Sequence, residues 1–305
     1  MTLTTTAIPF SRAKAARMPS SSSSSSSPSK PDRWFIIDTL PCRAPSNIRA
    51  LDTDVRDLAR KLKRADAFTF GLLNCKGVVR VFGQPQKQLD LTGFDLVFNV
   101  PEGGDATRMT SLRALLLGVG QKRDEGVVSV GEPPSLTRRV RLARELATSV
   151  SYVHTFDFVH KNIRPESVLL LDEGERKDGS TMGGCGGSAG DRLRSSFLVG
   201  FDSFRSVGGY TNMMGDQDWE YNVYRQPKGM GEFPAEEYRM QHDIYSLGVC
   251  LLEVGMWEPL VEYSGGESGT HPSGLVTTVL WVAISALCVT LARSVGCVPM
   301  VLAQR

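Results

Sequence analysis

A helical apolar stripe leads straight into a short polar loop and a strand-like run. The stripe repeats at helical spacing and consists of Leu136, Val140, Ala143, Ala147, Val150 and His154. It predicts a long helix packed along one side. The next residues, "FVHKNIRPESVLLL" (158–171), open with a His-Lys-Asn group and end in an apolar run. The pattern predicts a helix, a loop of polar side chains and a buried strand.

The preceding residues have the character of strands around one helix. "WFIID" (34–38) predicts a strand, and apolar residues from Leu51 to Leu62 recur at helical spacing. Further strands are predicted at 77–82 and 94–100, and "TSLRALLLG" (110–118) predicts a short helix. A strand-rich front half and a helical back half indicate two lobes with a cleft between them.

Residues 1–33 are rich in Ser, Thr, Ala and basic residues and include an unbroken serine tract from Ser20 to Ser27. Such a segment buries little apolar surface, so we expect a disordered tail outside the fold, although an organellar transit peptide has a similar composition. Some twenty residues then remain before the first helix. They are too few for three strands and their turns.

Charge and cysteine usage exclude several functions. A net charge of +2 gives no electrostatic footprint for nucleic acid, so no nucleic-acid partner is expected. The six cysteines form no CxxC pair and have no His at metal-ligand spacing, which predicts neither a metal site nor a disulfide framework. A reduced compartment, the cytoplasm, is expected.

Four motifs occur in a specific order along the chain. They are His160-Lys161-Asn162, Gly200-Phe201-Asp202 after an apolar "FLV", Tyr224-Arg225-Gln226-Pro227, and "HDIYSLGVCLLEVGMW" (242–257). Together they resemble the H-R-D, D-F-G and Y-x-x-P motifs and the buried lower-lobe helix of protein kinases. The likeness covers residues 34–263 and is greatest to divergent fungal kinase-like domains often found with prion-type HeLo domains.

The resemblance implies an α+β, two-lobed protein-kinase-like fold that is truncated in both lobes. A partial N-lobe would span 34–105 and a mostly helical C-lobe 106–263. A Gly/Ser linker (264–274) and a hydrophobic C-terminal segment (275–305) would follow.

The resemblance puts Asn162 at the position of the catalytic Asp. An amide cannot accept a proton near neutral pH, and losing a general base costs on the order of 10²- to 10⁴-fold in rate. His160 is then interpreted as a core histidine that holds the loop. Arg164 replaces a lysine and either supplies positive charge near an incoming phosphate or is a solvated loop charge.

The positions that bind Mg²⁺ in kinases are also altered. Ser167 stands where a ligating Asn is expected and Gly200 where a ligating Asp is expected, and glycine offers no ligand. Asp202, two residues further on, is a possible substitute; its alternative interpretation is a turn or cap residue.

The nucleotide side of the cleft is predicted to be missing. No glycine occurs before Gly71, so a Gly-rich phosphate loop is absent, and no V-A-I-K strand is present. The resemblance leaves architectural roles for three residues: Phe201 packs between the lobes, Asp243 accepts hydrogen bonds from the backbone around 160–162, and Pro227 ends the activation segment.

The C-terminal segment includes eighteen consecutive uncharged residues, 275–292. Its length reaches the lower limit for crossing a bilayer. Three interpretations stay open: a tail anchor in a membrane, a helix packed on the shortened lower lobe, or translated sequence that is not native coding sequence.

The sequence therefore favours a pseudokinase that acts as a signalling or scaffolding module with protein partners and no cofactor. One alternative is an active Ser/Thr protein kinase that uses ATP and Mg²⁺, with Asp202 on the metal and Arg164 on the γ-phosphate. Another is a membrane-tethered adaptor.

Overall fold

The fold is mixed α+β, as predicted, and is known from a computed structural model. Its sheets are antiparallel. The structure describes residues 4–19, 33–42, 48–83, 91–101, 106–118, 133–172, 194–206, 218–230, 236–264 and 271–275. The serine tract, the Gly-rich stretch 173–193 and residues 276–305 lie outside this part of the chain.

A five-stranded antiparallel sheet holds the first part of the chain, in the strand order β1-β2-β3-β5-β4. The strands are β1 (Thr4–Ala7), β2 (Lys14–Met18), β3 (Arg33–Pro41), β4 (Cys75–Phe82) and β5 (Leu91–Asn99). Helix α1 (Ile48–Leu62) lies between β3 and β4 in the chain and buries Val55, Leu58 and Leu62. Strands and helix agree with the sequence periodicity at 34–38, 51–62, 77–82 and 94–100.

The expectation that residues 1–33 form a disordered tail is wrong for residues 4–18. Strands β1 and β2 form an antiparallel hairpin, and β2 pairs with β3 so that Ala15 lies opposite Ile36 and Ala16 opposite Phe35. Ala13, Ala15 and Ala16 are buried, and small side chains let the hairpin lie close to its neighbours. Three strands therefore precede α1, and the prediction that the chain is too short for them is corrected.

The second part of the chain is built around two long helices. Helix α4 (Leu136–Thr155) and helix α6 (Met240–Met256) pack against each other and match the predicted helices at 136–154 and 242–257. The short helices α2 (Ala67–Phe70) and α3 (Leu112–Leu116) come before α4 in the chain, and α5 (Trp219–Asn222) comes between α4 and α6. Helix α3 is shorter than predicted because Met109–Ser111 forms a strand and the Ser111 hydroxyl caps the helix.

Small sheets connect these helices to the loops between them. Strands β6 (Met109–Ser111), β8 (Val168–Asp172) and β9 (Arg194–Leu198) form an antiparallel sheet in the order β6-β8-β9. Strand β7 (Phe158–Val159) pairs with β10 (Arg205–Ser206), and β11 (Val261–Ser264) with β12 (His271–Leu275). Strand β12 corrects the predicted linker 264–274, whose last residues pair with β11.

No helix in the described ranges is long and apolar enough to cross a membrane. The predicted hydrophobic segment 275–292 lies outside those ranges except for Leu275.

Candidate functional site

The loop of residues 160–167, between β7 and β8, is held in place by one buried carboxylate. Asp243, on the first turn of α6, accepts hydrogen bonds from His160 N–H (2.8 Å) and Lys161 N–H (2.9 Å). It also accepts the Tyr238 hydroxyl at 2.8 Å and lies 2.9 Å from Nε2 of His154. The two backbone donors are the ones that the kinase resemblance predicts. The side chains of Tyr238 and His154 are partners that the sequence did not indicate.

The environment of Asp243 keeps its carboxyl ionised. Burial by itself raises the pKa, but the His154 hydrogen bond and the two backbone N–H groups of His160 and Lys161 help to outweigh it and lower the pKa. Asp243 therefore stabilises the folded state above its unfolded pKa, and this contribution is lost as the pH falls through the lower folded value.

His160 is a core residue in this structure. Its ring is fully buried, Nδ1 accepts a hydrogen bond from Asn162 N–H at 3.3 Å, and it lies 4.8 Å from the Phe201 ring. Burial lowers the pKa of His160 to about 4, against the charges of Asp243 and Asp202, which raise it. A neutral, enclosed imidazole fits the predicted role of holding the loop.

The side chains of Asn162 and Ser167 form hydrogen bonds with backbone groups. Asn162 donates its amide to the Gly200 carbonyl oxygen at 3.0 Å. The buried Ser167 hydroxyl donates to Arg164 C=O at 2.8 Å and accepts from Arg164 N–H at 3.2 Å. Both groups therefore brace the loop.

Gly200 is required by its surroundings. Its φ is +82°, which a residue with a side chain adopts only with strain. A Cβ at this position would lie 2.9 Å from Cβ of Ser167 and 3.0 Å from Nδ2 of Asn162. No larger residue fits, and a carboxylate cannot be introduced without moving the loop.

Sequence reasoning missed the group that faces Gly200 from the sheet, which is Asp38 on β3. Its Oδ2 accepts hydrogen bonds from Gly200 N–H (2.8 Å) and Phe201 N–H (2.9 Å), and Oδ1 has no hydrogen-bond partner among the described residues. The signal was available: with a period of two, Asp38 falls on the same face of β3 as the buried Ile36 and Leu40.

The Asp38 carboxyl titrates far above its ordinary range. Burial raises its pKa to about 6, offset in part by the Phe201 N–H bond, while the Asp202 charge raises it further and Arg12 lowers it. Between the ordinary value of 3.8 and about 6, folded protein holds a proton here that the unfolded chain has released. The Asp38 contribution to stability therefore increases as the pH falls through this window.

We expect Asp38→Asn to remove this pH dependence. The free energy of unfolding of the parent protein, relative to that of the variant, should rise on going from pH 7 to pH 4.5 by on the order of 2 kcal/mol. Urea titrations of both proteins at the two pH values measure the difference, because every other titrating group is shared. An equal pH response in both proteins would contradict the assignment.

Phe201, next to Gly200, joins the loop to the sheet. Its buried ring lies near Phe98 of β5 and Phe204, at centroid distances of 6.5 and 6.3 Å. Pro227, the predicted end of a segment, is exposed and opens a short 3₁₀ turn (Pro227–Gly229). The buried member of its motif is Tyr224.

The sequence left two interpretations open for each of Asp202 and Arg164, and the structure shows the contacts that each side chain makes. The Asp202 side chain is 4% exposed and pairs with Arg12 of the β1–β2 connection at 2.5 Å. Arg164 is buried and its guanidinium lies 3.7 Å from the centroid of the Tyr221 ring. The interpretation of Arg164 as a solvated loop charge is therefore wrong, because tertiary packing encloses it.

A second buried charge cluster underlies the loop and was also missed. Arg113 of α3 is fully buried, with Nε 2.7 Å from Glu166 Oε1 and Nη1 2.9 Å from Glu253 Oε1. The Tyr224 hydroxyl lies against Arg113 and donates to Glu253, and the Tyr263 hydroxyl donates to Glu166, both at 2.9 Å. This Arg113 cluster ties α3, loop 160–167, α6 and β11 together.

Among the residues that the structure describes, no group of three or more His, Cys, Asp or Glu side chains could hold a metal ion. Asp38 and Asp202 are the two carboxylates next to Gly200 and Phe201.

Comparison with models of known protein families gives no match, and no curated protein matches the chain.

Proposed function

We propose that this chain is a protein-kinase-like module that does not transfer phosphate and acts as a signalling or scaffolding partner of other proteins. The order of elements supports the likeness. A helix follows the third strand of a five-stranded antiparallel sheet, and α4, loop 160–167 and the β8–β9 hairpin come later. Kinases place their phosphate-binding lysine on the third strand, its glutamate on the next helix, and their base on a catalytic loop.

The proposal rests mainly on the position of Asp38 on the third strand. Where a kinase needs a cation on the third strand to hold the phosphates, the side chain that reaches the Gly200–Phe201 backbone is a carboxylate. A negative group in a buried position repels a triphosphate instead of attracting it. Asp38 also uses one of its oxygens to hold the backbone at the site where a metal-binding Asp would be.

Three further features agree with an inactive cleft. Gly200 has no room for a side chain, and Asn162 and Ser167 are committed to the loop backbone. The connection between β1 and β2, residues 8–13, contains no glycine that could approach phosphates. For the alternative of an active Ser/Thr kinase, a metal at Asp202 would first have to displace the Arg12 guanidinium.

A thermal-shift titration of the full chain with Mg-ATP tests the proposal. We expect millimolar nucleotide to leave Tm unchanged with and without Mg²⁺, because a ligand raises Tm only when it binds the native state. An active protein kinase in the same buffer is the positive control. A saturable, Mg²⁺-dependent rise that disappears in Asp202→Asn would count against the proposal and favour the active alternative.

We further propose that the module works in the cytoplasm through protein partners, without ATP or Mg²⁺ as cofactors. Cys42, Cys75 and Cys250, the cysteines in the described ranges, are free thiols, which suits a reducing compartment. Fractionation of the chain with and without residues 275–305, in buffer and in detergent, tests the remaining alternative of a membrane-tethered adaptor.

A further inference from the structure

The connection between β1 and β2 lies against four other parts of the molecule. The Pro9 carbonyl accepts a hydrogen bond from the Ser111 hydroxyl at 2.6 Å, and the Phe10 ring packs edge-on against Tyr263 with centroids 5.1 Å apart. Phe10 has φ +54°, a conformation that costs energy for a side chain of its size. The surrounding contacts hold residues 8–13, the hairpin tip, in this strained shape.

Arg12 is the charged contact of the hairpin tip. Its Nη1 lies 2.5 Å from Asp202 Oδ2, and its Nη2 donates to the Tyr221 hydroxyl at 3.3 Å. Arg12 itself is 45% exposed, whereas the Asp202 side chain is 4% exposed. The acceptor is therefore built into the protein, and the cation reaches it from the surface.

The acceptor side has unused capacity. Oδ1 of Asp202 is buried and has no hydrogen-bond partner among the described residues, and the same is true of Oδ1 of the nearby Asp38. A buried carboxylate without a cation or donors is strongly unfavourable, so this pocket requires a positive partner. A planar guanidinium can engage a carboxylate and a hydroxyl at once, which a compact ammonium does less well.

We propose that Asp202 and Tyr221 form a guanidinium-binding site, which the chain fills with its own Arg12 and so holds the hairpin tip against Asp202 and helix α5. The ligand class is an arginine side chain, and an arginine from another protein can occupy the site only when Arg12 leaves. The inference rests on the proposed function in that it assigns regulation to the same cleft.

Chemical rescue of Arg12→Ala in the full chain tests this site. We expect the variant to lose several degrees of Tm and to exchange amide hydrogens faster in residues 4–18. Low-millimolar ethylguanidinium should restore part of Tm, whereas equal concentrations of ethylammonium or NaCl should not. Lys14→Ala, which removes an exposed cation from the same hairpin, is the matched control and should change neither property.

Two further variants keep the test decisive. The double variant Arg12→Ala/Asp202→Asn should show no rescue. The Tm of Arg12→Lys should lie between those of the parent and Arg12→Ala, because lysine keeps the positive charge but lacks the planar guanidinium. Rescue by NaCl, rescue without Asp202, or an Arg12→Lys protein equal to the parent would each overturn the proposal. None of these readouts uses ATP, so failure of this site and failure of the proposed function are separate results.

Discussion

Arg113→Met is expected to lower the free energy of unfolding by about 3–5 kcal/mol, which is typical when one partner of a buried ion pair is removed. The substitution keeps most of the side-chain volume but removes the guanidinium that contacts both Glu166 and Glu253. Burial already raises the pKa of Glu253 in spite of the Arg113 charge, so its carboxyl becomes still less favourable when that charge is lost. Urea unfolding of the full chain at pH 7 measures the effect.

The exposed Arg80–Asp52 ion pair serves as a control that distinguishes the effect of burial from the effect of charge. Arg80 makes hydrogen bonds to both Asp52 oxygens, yet its side chain is 48% exposed, so Arg80→Met should cost less than about 1 kcal/mol. Adding Glu253→Leu to Arg113→Met should recover part of the loss, since an apolar replacement removes the unpaired charge. Equal effects of Arg113→Met and Arg80→Met would show that the Arg113 cluster does not stabilise the fold.

Asp243→Asn is expected to cost about 3–5 kcal/mol in the free energy of unfolding. One carboxylate receives two backbone N–H groups, a tyrosine hydroxyl and a histidine ring, and an amide presents a single acceptor oxygen and places N–H donors against donors. The acid limb of the stability curve should also flatten, because Asp243 has a lowered pKa in the folded state and its contribution is lost in acid. Urea titrations between pH 3 and pH 7 report both effects.

The half-buried Asp95 provides the comparison for Asp243. Asp95 accepts one hydrogen bond from the Thr39 hydroxyl at 2.7 Å, so Asp95→Asn should cost about 1 kcal/mol or less. If Asp243→Asn were no more harmful than Asp95→Asn, loop 160–167 would owe its shape to the chain around it and not to the carboxylate.

Local patterns predicted the long helices and three of the five strands of the large sheet because their signals are periodic. Apolar residues in α1 recur at helical spacing, and the helix buries Val55, Leu58 and Leu62 of the predicted stripe. For α4 the helix is as predicted but the face is wrong: Leu136 and Val140 are exposed, and the helix buries Leu142, Leu146 and Val153 together with Val150. The order of motifs likewise marked loop 160–167 and the helix that carries Asp243. In these segments, residues a few positions apart determine the type of element, whereas the face that α4 buries depends on the elements that pack against it.

The hairpin β1–β2 shows where local signals fail. Its residues are polar or small, and a two-stranded hairpin is only marginally stable by itself. Its stability comes from pairing with β3, for example Lys14 opposite Ile37 and Met18 opposite Arg33, and from contacts of the tip with Ser111 and Tyr263. Composition predicted disorder because it takes no account of partners that are distant in the chain.

The sequence by itself determined the long helices, strands β3, β4 and β5, and the absence of a carboxylate at Asn162 and Gly200, since these depend on residue type and short spacing. The tertiary structure alone decided the partners of the buried charges. Asp38 meets Gly200 across 162 positions, Arg12 meets Asp202 across 190, and Arg113 meets Glu253 across 140. Burying a charge is unfavourable unless a counter-charge or hydrogen-bond donors lie next to it. Here those partners are distant in the sequence, so they come into contact only when the elements pack together.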